Sequence, residues 1–158
     1  MAKMSITFKG FDILSAELDR AGKDLKPAVN EALEKTQKYV QENLEMAVLP
    51  YAQRSTKPEI GKKYSWVKGD LYQGVIREPK IEWTGTVATV GVGFTTDRNW
   101  RGFMHSIFVM YGVPAHGKFN RGYQKDANVY NAIRGVRTKN QIAKLQKEIM
   151  QKHLKLGR

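Results

Sequence analysis

Three charged residues in the middle of the chain are of the types that metal-dependent nucleases use. Asp70 precedes Glu78 and Lys80, and the glutamate stands two residues before the lysine. In such enzymes carboxylates hold Mg²⁺, and the metal stabilises charge that develops on the phosphate. This spacing is common by chance, and Pro79 falls inside it although proline is disfavoured in a central strand. We therefore predict that the chain is not an enzyme and keep a Mg²⁺-dependent nuclease as the alternative.

The other residues that could carry chemistry form no recognisable centre. His105, His116 and His153 fall on different predicted elements, and no two have helical metal-ligand spacing such as i,i+4. Gly91 and Gly93 lack the third glycine and the following helix of a dinucleotide-binding motif. Cysteine is absent, which excludes disulfides and thiol chemistry. We therefore predict no metal and no cofactor.

Positive charge is concentrated in one part of the chain. The 158 residues have a net charge of +12. Residues 1–49 carry seven Lys/Arg and eight Asp/Glu, a net charge of −1, whereas residues 50–158 carry twenty and seven, a net charge of +13. Such a distribution indicates an anionic partner, which could be nucleic acid, an acidic protein or lipid head groups. No apolar run approaches the roughly 18 residues that span a bilayer, so we expect no membrane partner.

Helical periodicity dominates the N-terminal third. After a short strand-like run at residues 5–8, apolar residues recur at three- and four-residue steps over residues 11–25. A stronger amphipathic pattern over residues 28–48 predicts a second helix, with Pro27 at its start and Pro50 at its end. An amphipathic helix of this length needs a partner surface, which strands further along the chain can supply.

The strongest strand signals lie in the middle of the chain. Residues 81–83 and 87–94 flank a short Gly-containing turn, which predicts a β-hairpin whose second strand has one apolar face. Residues 105–111 are nearly continuously apolar and predict a third strand that is covered on both faces. Residues 95–104, which connect the second and third predicted strands, are predicted to form a polar loop.

Two helices are predicted in the C-terminal third. Asp126 caps a short helix that Gly135 ends, and Thr138-x-x-Gln141 reads as a capping box for a basic helix over residues 137–155. The whole chain, 1–158, therefore predicts a single α+β domain. We expect an antiparallel sheet of three to four strands with two N-terminal helices and the C-terminal helices packed on it.

Two long predicted loops, 50–68 and 95–104, place aromatic residues among cations. This composition suits single-stranded nucleic acid through base stacking and equally a protein interface, and we favour the interface. The residues predicted to contact other subunits or neighbouring proteins are Tyr51, Arg54, Tyr64, Trp66, Arg98, Trp100 and Arg101. The residues predicted to face DNA or an acidic partner are Lys57, Lys62, Lys63, Lys118, Arg121, Lys144 and Lys147.

The layout of the chain resembles a family of tailed-phage proteins. Three runs carry most of the resemblance: HSIFVMYGVP, RGYQKDANVYNAIRG and KNQIAKLQKEIMQK. The family is the tail-component family typified by the tenth gene product of phage Hong Kong ninety-seven. Residues 8–10 and 68–74 also match its layout. Lys68, Gly74 and Val113 depart from the Thr, Ser and Thr that the family usually has there.

The resemblance implies a structural role. Members of the family are tail-completion, neck or head–tail joining proteins, and they look like small α+β subunits of a ring in the connector. It implies a virion protein of the head–tail junction or tail, made in the host cytoplasm and assembled as a hexameric ring. Its implied partners are head-closure proteins, tail-terminator or tail-tube proteins and, non-specifically, the DNA in the channel. A basic nucleic-acid-binding protein is the alternative.

Overall fold

The computed structural model describes residues 3–7, 25–52, 69–78, 80–85, 87–96, 103–116 and 121–155. The strands are β1 (Lys3–Thr7), β2 (Ile81–Thr84), β3 (Val87–Gly93), β4 (Val113–His116) and β5 (Arg121–Tyr123). The helices are α1 (Lys26–Ala52), α2 (Asp70–Gln73), α3 (Phe103–Tyr111), α4 (Ala127–Arg134) and α5 (Val136–Lys155). These helices and antiparallel strands confirm the predicted α+β class. The first predicted helix, over residues 11–25, lies outside the described residues except for Leu25.

Helix α1 forms because apolar residues recur along one side of it. Its fully buried side chains include those of Val29, Leu33, Val40, Leu44 and Val48. The other side is polar and exposed, and it carries Glu34, Lys38 and Glu42. The predicted second helix is confirmed, and it begins beside Pro27 as expected.

Pro50 does not end α1, contrary to the prediction. The helix continues to Ala52, with Pro50 in its last turn. A proline at this position removes one N–H, whose acceptor would be the carbonyl of Met46 four residues earlier. Met46 lies on the exposed side of the helix, where it is 67% exposed. The first residues of the predicted 50–68 loop are therefore helical, and residues 53–68 lie outside the described part of the chain.

A three-stranded antiparallel sheet, in the order β1-β3-β2, packs on α1. The turn between β2 and β3 passes through Gly85 at φ +61°, a conformation that glycine adopts without a steric cost. The predicted hairpin is thus confirmed. Alternate residues of the central strand enter the core, namely Ala88, Val90 and Val92.

Residues 105–111 belong to helix α3, so the predicted third strand is wrong. A short apolar run fits a buried strand and a buried helix equally well. The helix buries Val109 and Met110 next to each other. It ends at Gly112, which adopts φ +74° and donates its N–H to the carbonyl of Phe108 at 2.7 Å.

A second hairpin, β4–β5, lies between α3 and α4, where no strand was predicted. Its register shifts between Val113 and His116. Gly112 lies so close beneath this hairpin that a Cβ atom there would stand 2.7 Å from the carbonyl oxygen of Tyr123. Phe103 and Met104, predicted in the loop 95–104, are already helical.

The two C-terminal helices follow one another with almost no linker. Asp126 caps α4 by accepting hydrogen bonds from the backbone of Asn128 and Val129, as predicted. The predicted capping box at Thr138 is wrong, because α5 already begins at Val136. The Thr138 hydroxyl instead donates to the carbonyl of Asn131 at 2.7 Å, which joins α5 to α4.

Helix α1 forms a middle layer between the sheet and α5. On one side, Asn30 accepts a hydrogen bond from the indole N–H of Trp83 in β2 at 3.2 Å. On another side, Glu31 meets His153 of α5, with Oε2 and Nε2 separated by 2.7 Å. Because neighbouring residues point about 100° apart around a helix, the sheet and α5 lie on different sides of α1.

The packing of α1 predicts the effect of a truncation at its centre. Leu44→Ala removes a fully buried side chain and should lower the free energy of unfolding by about 2–5 kcal/mol. The exposed neighbour Met46 provides the control, since Met46→Ala should change stability by less than about 0.5 kcal/mol. Urea unfolding followed by circular dichroism measures both. Equal effects of the two substitutions would contradict this placement of the helix.

Candidate functional site

The residues of the predicted nuclease motif lie at an interruption of the edge strand. Val75 bridges to Phe94, and Ile81 pairs with Val90. Between these two pairings the edge strand has five residues and β3 has three, so the pairing is interrupted by a β-bulge. Glu78 and Lys80 lie in this bulge, and both are exposed. Asp70 begins α2, but its side chain lies outside the described part of the chain.

Beside the bulge, the outer face of the sheet holds a polar groove of about 310 Å³. We call it the sheet groove. Ser5, Thr89 and Gly91 lie on the sheet face turned away from α1, and the missing side chain of Gly91 deepens it. Glu78, Lys80 and Glu82 add charge around it. The structure thus brings Glu78 and Lys80 together with Glu82, which the sequence reasoning did not single out.

The described residues of the sheet groove include two possible metal ligands, Glu78 and Glu82. Among the residues that the structure describes, no group of three or more Asp, Glu or His side chains could hold a metal ion. Within the same residues, neither Glu78 nor Glu82 has an ion-pair partner. The groove therefore holds two carboxylates and one ammonium group, and a cationic side chain could pair with its carboxylates.

A second charged surface runs along α5. Arg137, Lys144 and Lys147, with Asn140 and Gln151, lie on the side of the helix opposite its buried residues. We call these five residues the basic stripe. The single acid nearby, Glu148, stands 3.8 Å from Lys144, with both side chains more than half exposed. An exposed pair of this kind is weak, so the stripe stays available to an anionic partner. Lys144 and Lys147, which are predicted to face DNA or an acidic partner, are both exposed.

Tyr51 is not an exposed contact residue, contrary to the prediction. Its side chain is 8% exposed, and its hydroxyl donates to Oδ2 of Asp126 at 2.6 Å. Its ring also meets the edge of the His105 ring, with centroids 5.8 Å apart. Burial raises the pKa of Tyr51 well above its usual range, and the hydrogen bond to Asp126 raises it further. Tyr51 thus fastens the end of α1 to the start of α4.

Most of the other predicted contact residues lie outside the described part of the chain. They are Arg54, Lys57, Lys62, Lys63, Tyr64, Trp66, Arg98, Trp100, Arg101 and Lys118. Arg121 begins β5, but its side chain is not among those described.

An aromatic surface at the β4–β5 end of the molecule escaped the sequence reasoning. Tyr111, which belongs to the predicted third strand, is 41% exposed, and Tyr123 and Val136 are 43% and 75% exposed. The guanidinium of Arg134 stands 5.9 Å from the centre of the Tyr111 ring. We call these four residues the hairpin surface. The sequence could have indicated an exposed Tyr111 only if residues 105–111 had been predicted to form a helix.

The described histidine side chains have structural partners. His153 meets Glu31, which also receives a hydrogen bond from Lys35 and lies 3.8 Å from Lys152. The hydrogen bond from Lys35 and then that from His153 lower the pKa of Glu31 to about 2. His105 packs on Tyr51. His116 lies in β4, and its side chain is not described.

Comparison of the chain with protein-family models, with curated proteins and with solved structures found no match. In the described part of the chain, no helix has both the length and the apolar character to cross a membrane.

Removal of the hydrogen bond between Tyr51 and Asp126 should lower the stability of the protein without changing its fold. Tyr51→Phe should lower the free energy of unfolding by about 1.5–3 kcal/mol, because the hydroxyl donates to a charged acceptor. Tyr39→Phe is the control, since the Tyr39 hydroxyl has no hydrogen-bond partner among the described residues, and it should cost less than about 0.5 kcal/mol. Urea unfolding measures the loss of free energy for each variant. Equal losses for Tyr51→Phe and Tyr39→Phe would contradict a stabilising hydrogen bond from Tyr51 to Asp126.

The Glu31 cluster predicts a pH dependence. The folded-state pKa of Glu31, about 2, lies below the ordinary value of 4.5, so its stabilisation is present above pH 4.5 and is lost as the pH falls towards 2. Glu31→Gln should lower the melting temperature by about 1–4 °C at pH 5, and the difference from the unmodified protein should vanish near pH 2. Thermal unfolding across this range, with exposed Glu42→Gln as the control, tests this. A difference that is constant with pH would contradict it.

Proposed function

We propose that this chain is a structural subunit of the head–tail connector of a long-tailed bacteriophage, in which copies assemble as a ring that completes or joins the tail. Its work is assembly, without turnover of a substrate. The proposal starts from the resemblance of residues 105–114, 121–135 and 139–152 to tail-component proteins. Two surfaces of the structure, the hairpin surface and the basic stripe, support the proposal further.

The observation that carries the proposal is the hairpin surface. Tyr111, Tyr123 and Arg134 belong to the segments that bear the resemblance, and Val136 directly follows one of them. Both tyrosines and the valine are exposed, and the arginine lies over the ring of Tyr111. Tyrosine and arginine are the residue types that contribute most to binding energy at the centres of protein interfaces. A surface of this composition supports contact with another protein more directly than it supports chemistry on a small molecule.

The basic stripe supports a second part of the proposal. Its cations are spaced along a single helix face, and such a face suits sequence-independent contact with phosphate or with a carboxylate-bearing surface. A connector subunit meets both kinds of partner, because DNA passes through the ring and other protein subunits surround it.

The test removes the coding sequence from the phage genome and supplies it in trans. Loss of the protein should leave separate heads and tails in electron micrographs and should lower the titre of infectious particles at least about a hundredfold. Quantitative mass spectrometry of purified particles should find the supplied protein at a constant small copy number. Tyr111→Ser combined with Val136→Ser should reduce joined particles at least about tenfold, because it removes apolar contact area from the hairpin surface.

The matched control is Met46→Ser combined with Leu49→Ser, which alters two exposed apolar residues on α1 and should leave joining near the unmodified level. Joined, infectious particles without the protein would overturn the proposal. So would Mg²⁺-dependent cleavage of DNA by the purified chain that is abolished by Glu78→Gln, since that result would establish the nuclease alternative.

A further inference from the structure

Two surfaces of opposite charge lie on different sides of the molecule. The sheet groove occupies the face of the sheet that is turned away from α1. The basic stripe occupies the face of α5 that is turned away from α1. Since the sheet and α5 contact different sides of α1, neither surface covers the other within one copy of the chain.

The described lining of the sheet groove has an excess of negative charge on a strongly positive protein. Among the residues that the structure describes, the groove is lined by the carboxylates of Glu78 and Glu82 and by one cation, Lys80, while the whole chain carries a net charge of +12. Its volume of about 310 Å³ has room for the end of a lysine or arginine side chain. The small residues Ser5 and Gly91 let such a side chain approach the backbone of the sheet.

The basic stripe has the shape that such a groove can receive. Arg137 and Lys144 stand seven residues apart, which is about 10.5 Å along the helix axis, and Lys147 follows about 4.5 Å further on. The stripe is straight and lies on a regular helix of twenty residues. Its cations can therefore approach one surface together.

The positions of the two surfaces select the symmetry of a contact between copies. A two-fold contact that paired the stripe with the groove would have to form both stripe–groove pairs in one interface, which is disfavoured because the two surfaces lie on different sides of the molecule. A head-to-tail contact places the stripe of one copy against the groove of the next. Repetition of such a contact generates a ring when the rotation closes.

We propose that the basic stripe of one copy docks on the sheet groove of the next, with Lys144 and Lys147 pairing with Glu78 and Glu82. This inference rests on the proposed function, in that it names the contact that builds the ring. It assigns a partner to the groove, which is a second copy of this chain, and it makes the assembly sensitive to salt.

Charge reversal tests the contact. Lys144→Glu with Lys147→Glu gives a chain whose stripe and groove are both acidic, and Glu78→Lys with Glu82→Lys gives a chain in which both are basic. Each variant alone should raise the apparent dissociation constant for self-association at least about tenfold in analytical ultracentrifugation. An equimolar mixture of the two should assemble again, because every contact then joins opposite charges. A chain carrying all four substitutions should also self-associate.

Matched controls separate this contact from an effect of net charge. Lys38→Glu with Lys139→Glu, and Glu34→Lys with Glu42→Lys, change exposed residues outside the two surfaces by the same amounts of charge. Both should associate within about threefold of the unmodified chain. Circular dichroism melts of every variant verify that the fold is retained.

Two results of the association and DNA-binding measurements would overturn the inference. One is failure of the mixture and of the four-substitution chain to associate. The other is unchanged self-association of the stripe variant together with loss of its binding to a 30-base-pair DNA duplex, which would assign the stripe to nucleic acid. If the variants still enter joined particles as well as the unmodified chain does, the contact is refuted while the proposed function stands. If self-association follows the predicted pattern but particles lack the protein, the proposed function fails while the contact stands.

Discussion

Burial of α1 is the constraint on which the rest of the structure depends. A helix of 27 residues whose buried side chains extend from Ala28 to Tyr51 cannot be covered by one neighbour. The sheet, α4 and α5 each cover a part of it. Burial of this apolar area is the main favourable term in folding. Polar contacts such as Trp83 to Asn30 and His153 to Glu31 then set how each neighbour is placed on the helix.

The same arrangement decides which surfaces remain for function. With α1 in the middle, the sheet and α5 each turn one face outward. The sheet presents the groove with Glu78 and Glu82, and α5 presents the basic stripe. The hairpin surface stands at the end where α3, β5 and α4 meet. A chain that exposes separate charged and aromatic surfaces around a scaffold suits assembly with several neighbours, which is the role that we propose.

Misreadings of the sequence arose where a local pattern had two solutions. The apolar run 105–111 fitted a strand or a helix, and packing of Val109 and Met110 into the core selected the helix. That choice turned Tyr111 outward, whereas a strand covered on both faces would have buried it. Pro50 is a strong helix breaker in isolation, yet burial of Tyr51 one residue later holds the last turn in place. Thr138 matched a capping box by spacing, and the structure uses its hydroxyl to join two helices.

By itself, the sequence determined the elements whose signals are local. The amphipathic period of α1, the Gly85 turn between β2 and β3 and the Asp126 cap of α4 all depend on residues a few positions apart. Only the tertiary structure decided which distant residues meet. The partner of Tyr51 is 75 residues away, and the partner of Glu31 is 122 residues away. The sheet groove needs Gly91 of one strand beside a bulge in another. Such contacts depend on how whole elements pack, and no periodicity within one element encodes them.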